Sequence, residues 1–240
     1  RAISALGVDP DVYGRVGAVE RTPRTTPAVQ SGAPALALLD LPLLTGTEQP
    51  LAGYAAAVQL PWPGGVAVYS SPQTTGYTLR DVLSAPATMG RTLDVLEPGP
   101  EARVDPRARV RVKLSYGSLT STDMTAMLAG RNVAAIETPS GAWEVLQFLN
   151  ATLVAPSTYE LSGLLRGQAG TEAAMSSAVA AGARFVLIDG AVEPIALTAG
   201  EIGLPDGKVE RVALYEVNHL QPREKFAEEM GHVRVRAAAA

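Results

Sequence analysis

The sequence predicts a mainly β protein, an antiparallel β sandwich or barrel with few short helices, and three observations carry that expectation. Short apolar or alternating segments recur from "ALALLDLPLL" onward at the intervals of an all-β domain. Breaks rich in Pro and Gly, "PWPGG", "SPQTTG", "EPGPE" and "TPSG", separate them. Convincing helical periodicity is confined to one stretch, "REKFAEEMG".

Residues 1 to 35, which include "RTPRTTPAVQSGAP", are rich in Pro, Thr, Gly and Ser without periodicity, and this suits an extended linker or arm. The chain opens on Arg1 with no charged-then-apolar leader, as expected of a piece of a longer polypeptide or a processed product. The β-rich domain is expected over 36 to 217. Its clearest strand is "RVRVKLSY", where Val110, Val112, Leu114 and Tyr116 share one face and Arg109, Arg111, Lys113 and Ser115 the other. In "ARFVLIDGAVEPIAL", Asp189-Gly190 between two apolar runs signals a tight hairpin, because both turn residues tolerate positive φ. Asp206-Gly207 in "LPDGKVERVALYEV" repeats the device. A weaker helix candidate is "TEAAMSSAVAAG". Residues 218 to 240 are expected to form a C-terminal extension, a helix at Arg223 to Met230 closed by Gly231 and then an alternating strand, "HVRVR".

Composition removes several function classes. With 47% apolar residues over 240 positions the chain can bury a real core. A net charge of −4 with 18% charged residues supplies no basic field for nucleic acid and no polybasic patch for anionic lipid. No apolar run approaches the roughly 20 residues of a membrane span. Cysteine is absent, so thiolate catalysis, disulfides and thiolate metal sites are excluded.

The search for reactive groups is negative. His219 and His232 stand in no ligand spacing, so no metal is expected. No G-x-S-x-G elbow occurs, and no Gly-Lys-Ser/Thr follows the glycines around Arg166, so neither a catalytic nucleophile nor a nucleotide or other cofactor is expected. Glu137 and Glu144 could meet across the turn "TPSG" as a glycosidase pair, but charged pairs across a hairpin are more often solvated decoration. The chain is therefore not expected to be an enzyme. Trp143, alternating with Val145, is expected in the core. Trp62, between Pro61 and Pro63, is the better candidate for an exposed aromatic that meets a partner, a packed turn being the alternative.

One segment asks a sharper question. "YELSGLLRGQAGTE" starts as a strand, with Tyr159 and Leu161 opposite in facing to Glu160 and Ser162, then sets Arg166 among Gly163, Gly167 and Gly170. Such an arginine can serve an anion site, a partner surface, or a loop locked by its own hydrogen bonds. The five donors of a guanidinium can tie several loop carbonyls together, and Glu172 could close a charge-assisted bond across the loop. The locked loop, built on Arg166, Gly167, Gly170 and Glu172, is the expectation, since loops of this composition usually serve architecture.

The same segment carries a family likeness. Trp143, Glu144, Gln147 and Phe148, then Tyr159, Leu161, Ser162, Leu164 to Gln168 and Gly170 to Glu172, then Gly182, Ala183, Phe185 to Leu187, Asp189 and Gly190 form the pattern W-E-x-x-Q-F, Y-x-L-S-x-L-L-R-G-Q-x-G-T-E, G-A-x-F-V-L-x-D-G. With "MLAGRNVAAIET" upstream, it resembles the large tail-hub proteins of gene transfer agents and related siphophages, and more distantly host-specificity proteins of tail tips. The likeness is specific over about 120 to 190 and extends over 36 to 217. It implies a structural, non-enzymatic part of a tail tip or baseplate, with other tail subunits as partners and a homotrimer about the tail axis. Roles in assembly, host attachment and DNA delivery follow from it, in a virion-like particle assembled in the bacterial cytoplasm and released. The family supplies no catalytic residues. A receptor- or glycan-binding β module on the same particle is the alternative, and a cell-wall hydrolase a weaker one.

Overall fold

The computed structural model describes residues 34–42, 53–71, 77–195, 210–216 and 227–233. In chain order the strands are β1 Ala35–Leu39, β2 Tyr54–Val58, β3 Val66–Ser71, β4 Thr78–Leu83, β5 Met89–Thr92, β6 Asp105–Tyr116, β7 Val133–Glu137, β8 Trp143–Ala155, β9 Thr158–Gln168, β10 Arg184–Leu187, β11 Glu193–Pro194, β12 Glu210–Glu216 and β13 Ala227–Val233. A single short α-helix, α1 Met124–Leu128, precedes β7 among the described residues. The protein is mainly β, as expected, and the choice between sandwich and barrel resolves in the middle of the chain. There β10-β5-β6-β9-β8-β7 close into a six-stranded barrel, every pair antiparallel.

Alternation sets what the barrel encloses. On β6, Val110, Val112 and Leu114 are buried while Arg109, Arg111 and Lys113 are exposed. They meet Ala134 and Ile136 of β7, Leu146 and Phe148 of β8, Leu161 and Leu164 of β9, and Phe185 of β10 in one interior cluster. Part of the outside of β7, β8 and β10 is covered, however. Ala135, Trp143, Val145, Val186 and Met89 pack there against Leu39, Tyr54, Ala56 and Val58 of the sheet β1-β2-β11. β7, β10 and the first half of β8, as far as Phe148, are largely buried on both faces, whereas β6 keeps its alternation because its outer face meets water. Trp143 lies in this second cluster, in the core as its alternation with Val145 predicts. The alanines of β2 follow the same logic: Tyr54, Ala56 and Val58 face the barrel, and Ala55 and Ala57 face a third cluster with Val66, Val68 and Leu83. Small side chains let a strand sit between two packed layers. The last sheet is β13-β12-β3-β4.

Asp123 caps α1, its carboxylate accepting from Ala126 N at 2.8 Å. Gln147, buried on β8, donates its side-chain amide to the carbonyls of Met127 and of Arg131 (3.0 Å for the latter), tying the helix's end to the barrel. Nothing in the sequence pattern announced this helix, which is only five residues long.

Three expectations are corrected. The helix at Arg223 to Met230 is not formed where it can be seen: Ala227–Val233 is a strand, pairing with β12 from Glu210↔Val233 to Leu214↔Ala227. An available sheet edge outweighs helix propensity in so short a segment. His232 and Val233 of the expected "HVRVR" strand belong to this same strand. Second, Asp189-Gly190 does not close a hairpin, because β10 belongs to the barrel and β11 pairs with β2. Asp189 instead makes a corner, its carbonyl accepting from Val192 N at 3.1 Å and its carboxylate from Ala191 N at 2.9 Å. Third, "TEAAMSSAVAAG" holds a 3-10 turn at Glu172–Ser176 and then an extended run in which Val179 bridges Leu96. The proposed arm up to residue 33, the Asp206-Gly207 turn and His219 lie outside the described residues.

Candidate functional site

The glycine-flanked arginine lies near the end of β9, two residues before Gln168, and its side chain points inward with no exposed surface. Its ion pair is with Glu144 of β8, also fully buried. Nε and Nη2 donate to the two carboxylate oxygens, the latter at 2.7 Å, and Nη1 donates to the carbonyl of Glu97 at 2.9 Å. Glu144 also accepts from Gly167 N at 3.2 Å. Two charges are thereby withdrawn from water in a planar fork-to-fork geometry with further backbone partners, the arrangement in which a buried ion pair can recover its desolvation cost.

Local backbone chemistry builds this seat. The β8–β9 register shifts between Val145↔Gln168 and Gln147↔Leu165, a bulge that lets Arg166 turn inward. Gly167 follows at φ +59°, where a Cβ would lie 3.1 Å from the Cα of Glu172, so this position needs glycine for both conformation and space. Ala169 and Gly170 continue in the left-handed region at φ 56° and 83°. Gln168 donates its side-chain amide to Arg166 O at 2.8 Å, and Thr171 Oγ1 donates to Gln168 O at 2.7 Å while accepting from Val145 N at 2.9 Å. The motif residues from Arg166 to Thr171 thus bond to one another and to β8.

The partners of Arg166 differ from the expected Glu172. Arg166 binds one loop carbonyl and Glu144; Glu172 is exposed at the first residue of the 3-10 turn and contributes its backbone against Gly167. Closeness in sequence suggested Glu172, whereas the register of β8 against β9 delivered a carboxylate 22 residues away. One signal for it was present: Glu144 shares its alternation with Leu146 and Phe148, and a carboxylate on an apolar face requires a buried cation.

The two candidate carboxylates of a hydrolase are separated by the sheet itself. Glu144 is the cross-strand partner of Ile136 and faces the interior, while Glu137 is the partner of Trp143 and faces outward. Glu137 holds Arg184 through two bonds of 2.7 Å, and the guanidinium lies 5.3 Å from the centre of the Trp143 ring. Hydrogen bonding from Arg184 keeps the Glu137 carboxyl below the usual carboxylate range, against the opposing effect of partial burial. Trp62 is half-buried, packed against the third cluster, and its indole N–H is buried without an acceptor. It occupies a packed turn rather than a free platform. Among the described residues no group of three or more His, Asp or Glu side chains is placed to hold a metal, and no helix is long and apolar enough to cross a membrane.

Residues 87–186 match the model of a protein family described as Rcc01698-like, C-terminal, a family associated with gene transfer agent proteins. The match covers less than half of the chain, beginning just before β5 and ending within β10. No curated protein matches the chain.

Proposed function

We propose that the chain is a structural segment of the hub at the tip, or baseplate, of a phage-like gene transfer agent tail, acting in tail assembly, host attachment and DNA delivery. The observation that carries this reading is the coincidence of the matched segment, residues 87–186, with the six strands of one closed barrel. A family unit that is also a folding unit is what a modular particle protein reuses. The internal bonding of the shared motif supports a structural role. Arg166, Gly167, Gln168 and Thr171 bond to Glu144, Glu97 and neighbouring backbone, and Arg166 has no exposed surface to offer a substrate. A hydrolase is disfavoured by the facing of Glu137 and Glu144 to opposite sides of the β7–β8 ladder and by the lowered pKa of Glu137, the reverse of what a general acid needs.

In this role the partners are other tail or baseplate subunits, and a homotrimer about the tail axis turns each weak contact into a closed ring. The chain then resides at the tip of a virion-like particle, and the role calls for no cofactor. Labelling the chain in purified tailed particles and imaging them by electron microscopy is the direct test. Density at the distal tip with threefold averaging is the expected result, and particles without the chain at the tip would overturn the proposal. Specific signal from the isolated chain on a glycan array would favour a receptor- or glycan-binding module instead.

A further inference from the structure

The outer face of β6, β5 and β10 carries cations in a row. Lys113 is the cross-strand partner of Arg91, and Arg91 is in turn the partner of Arg184. Residues directly opposite in an antiparallel ladder share a face with Cβ atoms about 4.5–5.5 Å apart, and like charges so placed repel. Four barrel arginines, Arg184 of this row among them, meet carboxylates: Arg166 with Glu144, Arg184 with Glu137, Arg111 with Asp94 and Arg109 with Glu160. Among the described residues no carboxylate is ion-paired with Arg91 or Lys113. Glu137 feels Arg91 only through space, both of its oxygens being bonded to Arg184.

These two cations, neither of them in an ion pair, border an open cleft of about 620 Å³, whose walls include Leu93, Ser115 and Gly182. Those walls are fixed. Thr92 Oγ1 donates to Ala180 O at 3.0 Å and accepts from Ala183 N at 3.1 Å, and Gly182 N donates to Thr92 O at 2.7 Å. Arg91 Nη1 donates to Gly182 O at 3.0 Å. Beneath them β5 and β6 approach so closely that a Cβ on Gly90 would stand 2.1 Å from the Lys113 carbonyl oxygen. Cations held together on rigid walls with no ion-pair partner of their own are preorganised for an anion.

We propose that this cleft binds one anionic oxygen group, a carboxylate or a phosphate, between Arg91 and Lys113, with the Ser115 hydroxyl as a further donor and Leu93 against the apolar part of the ligand. A bound anion relieves the repulsion that the row otherwise sustains. This inference stands on the cation row and the cleft and is independent of the tail-hub reading.

The test is titration of the full chain with inorganic phosphate and, separately, with acetate at constant ionic strength, followed by backbone amide NMR. Saturable shifts confined to the neighbourhoods of Arg91, Lys113 and Gly182 are expected with at least one of the two, and the tighter binder identifies the group. Lys113→Gln should weaken that binding about tenfold, the loss of one charge-assisted contact. The same variant should raise Tm at low salt, with the gain fading as salt screens the repulsion. Shifts that grow linearly across all surface cations, binding indifferent to Lys113→Gln, or a fall in Tm for that variant would each overturn the proposal.

Discussion

Two arginine–glutamate pairs stand on opposite sides of the β7–β8 ladder, and both are bidentate. Inside the barrel, Arg166 and Glu144 have no exposed side-chain surface; outside, Arg184 and Glu137 keep 32% and 26% of theirs. The chemistry is the same and the dielectric differs. In water's reach a broken pair is rescued by solvation, so the outer pair contributes modestly. In the interior a broken pair strands a charge with nothing to solvate it, so the inner pair makes one geometry obligatory. Burial multiplies the penalty for error more than the net stability, and this suits the inner pair to specify where β9 ends and the loop begins.

The comparison breaks first, and most visibly, at Arg166. Arg166→Ala should destabilise the domain by about 3–5 kcal/mol by leaving Glu144 unpaired, read from the denaturant midpoint. Because that penalty belongs to the orphaned charge, the double variant Arg166→Met, Glu144→Leu should recover most of the loss. A double variant as unstable as the single one would show that packing at this site, and not charge, sets the cost.

A smaller effect sharpens the role of the loop. Gly167→Ala forces an L side chain into φ +59° and brings its Cβ to 3.1 Å from Glu172 Cα, at a cost of about 1–2 kcal/mol from conformation alone plus the contact. Gly170→Ala, at φ +83° with nothing within 4 Å, meets only the conformational term and should be the milder of the two in thermal unfolding. Equal losses would mean that the approach to Glu172 is not a constraint.

On the outer face, Glu137→Gln should cost no more than about 1 kcal/mol, as expected of a partly solvated pair. Its pH dependence carries the sign. Arg184 lowers the folded pKa of Glu137, so the pair's stabilisation is fully present above the unfolded carboxylate value of about 4.3 and is lost as pH falls through the lower folded value. The Tm gap between wild type and Glu137→Gln should therefore close in acid; a gap that persists there would assign the effect to packing on Trp143. The smallest effect is expected for Asp94→Asn. Arg111 holds Asp94 below the usual carboxylate range by a side-chain hydrogen bond, yet Arg111 is exposed and Asp94 partly so, and Tm at physiological salt should not move measurably.

Much of this architecture was legible before any coordinates. The alternation of β6, the burial of Trp143 and the β class follow from side-chain period and apolar content, which are local properties of the chain. The left-handed backbone at Gly167 and Gly170 was legible too, because glycine adopts positive φ without steric cost. Less was legible where a segment's fate depends on an edge elsewhere. Ala227–Val233 has helical propensity but meets β12, and Asp189-Gly190 has hairpin chemistry but connects strands of two different sheets.

Period, turn chemistry and the groups that must be satisfied are properties of the amino-acid order: a buried-face glutamate, an arginine among glycines, and cations on the wet face of β6. Tertiary structure alone decided the pairings. Which carboxylate meets Arg166, which side of the ladder Glu137 takes, and that Arg91 and Lys113 stand opposite one another all follow from strand register and barrel closure. Register couples residues far apart in the chain through hydrogen bonds that every backbone can make equally well, so it is selected only when all the faces are buried together.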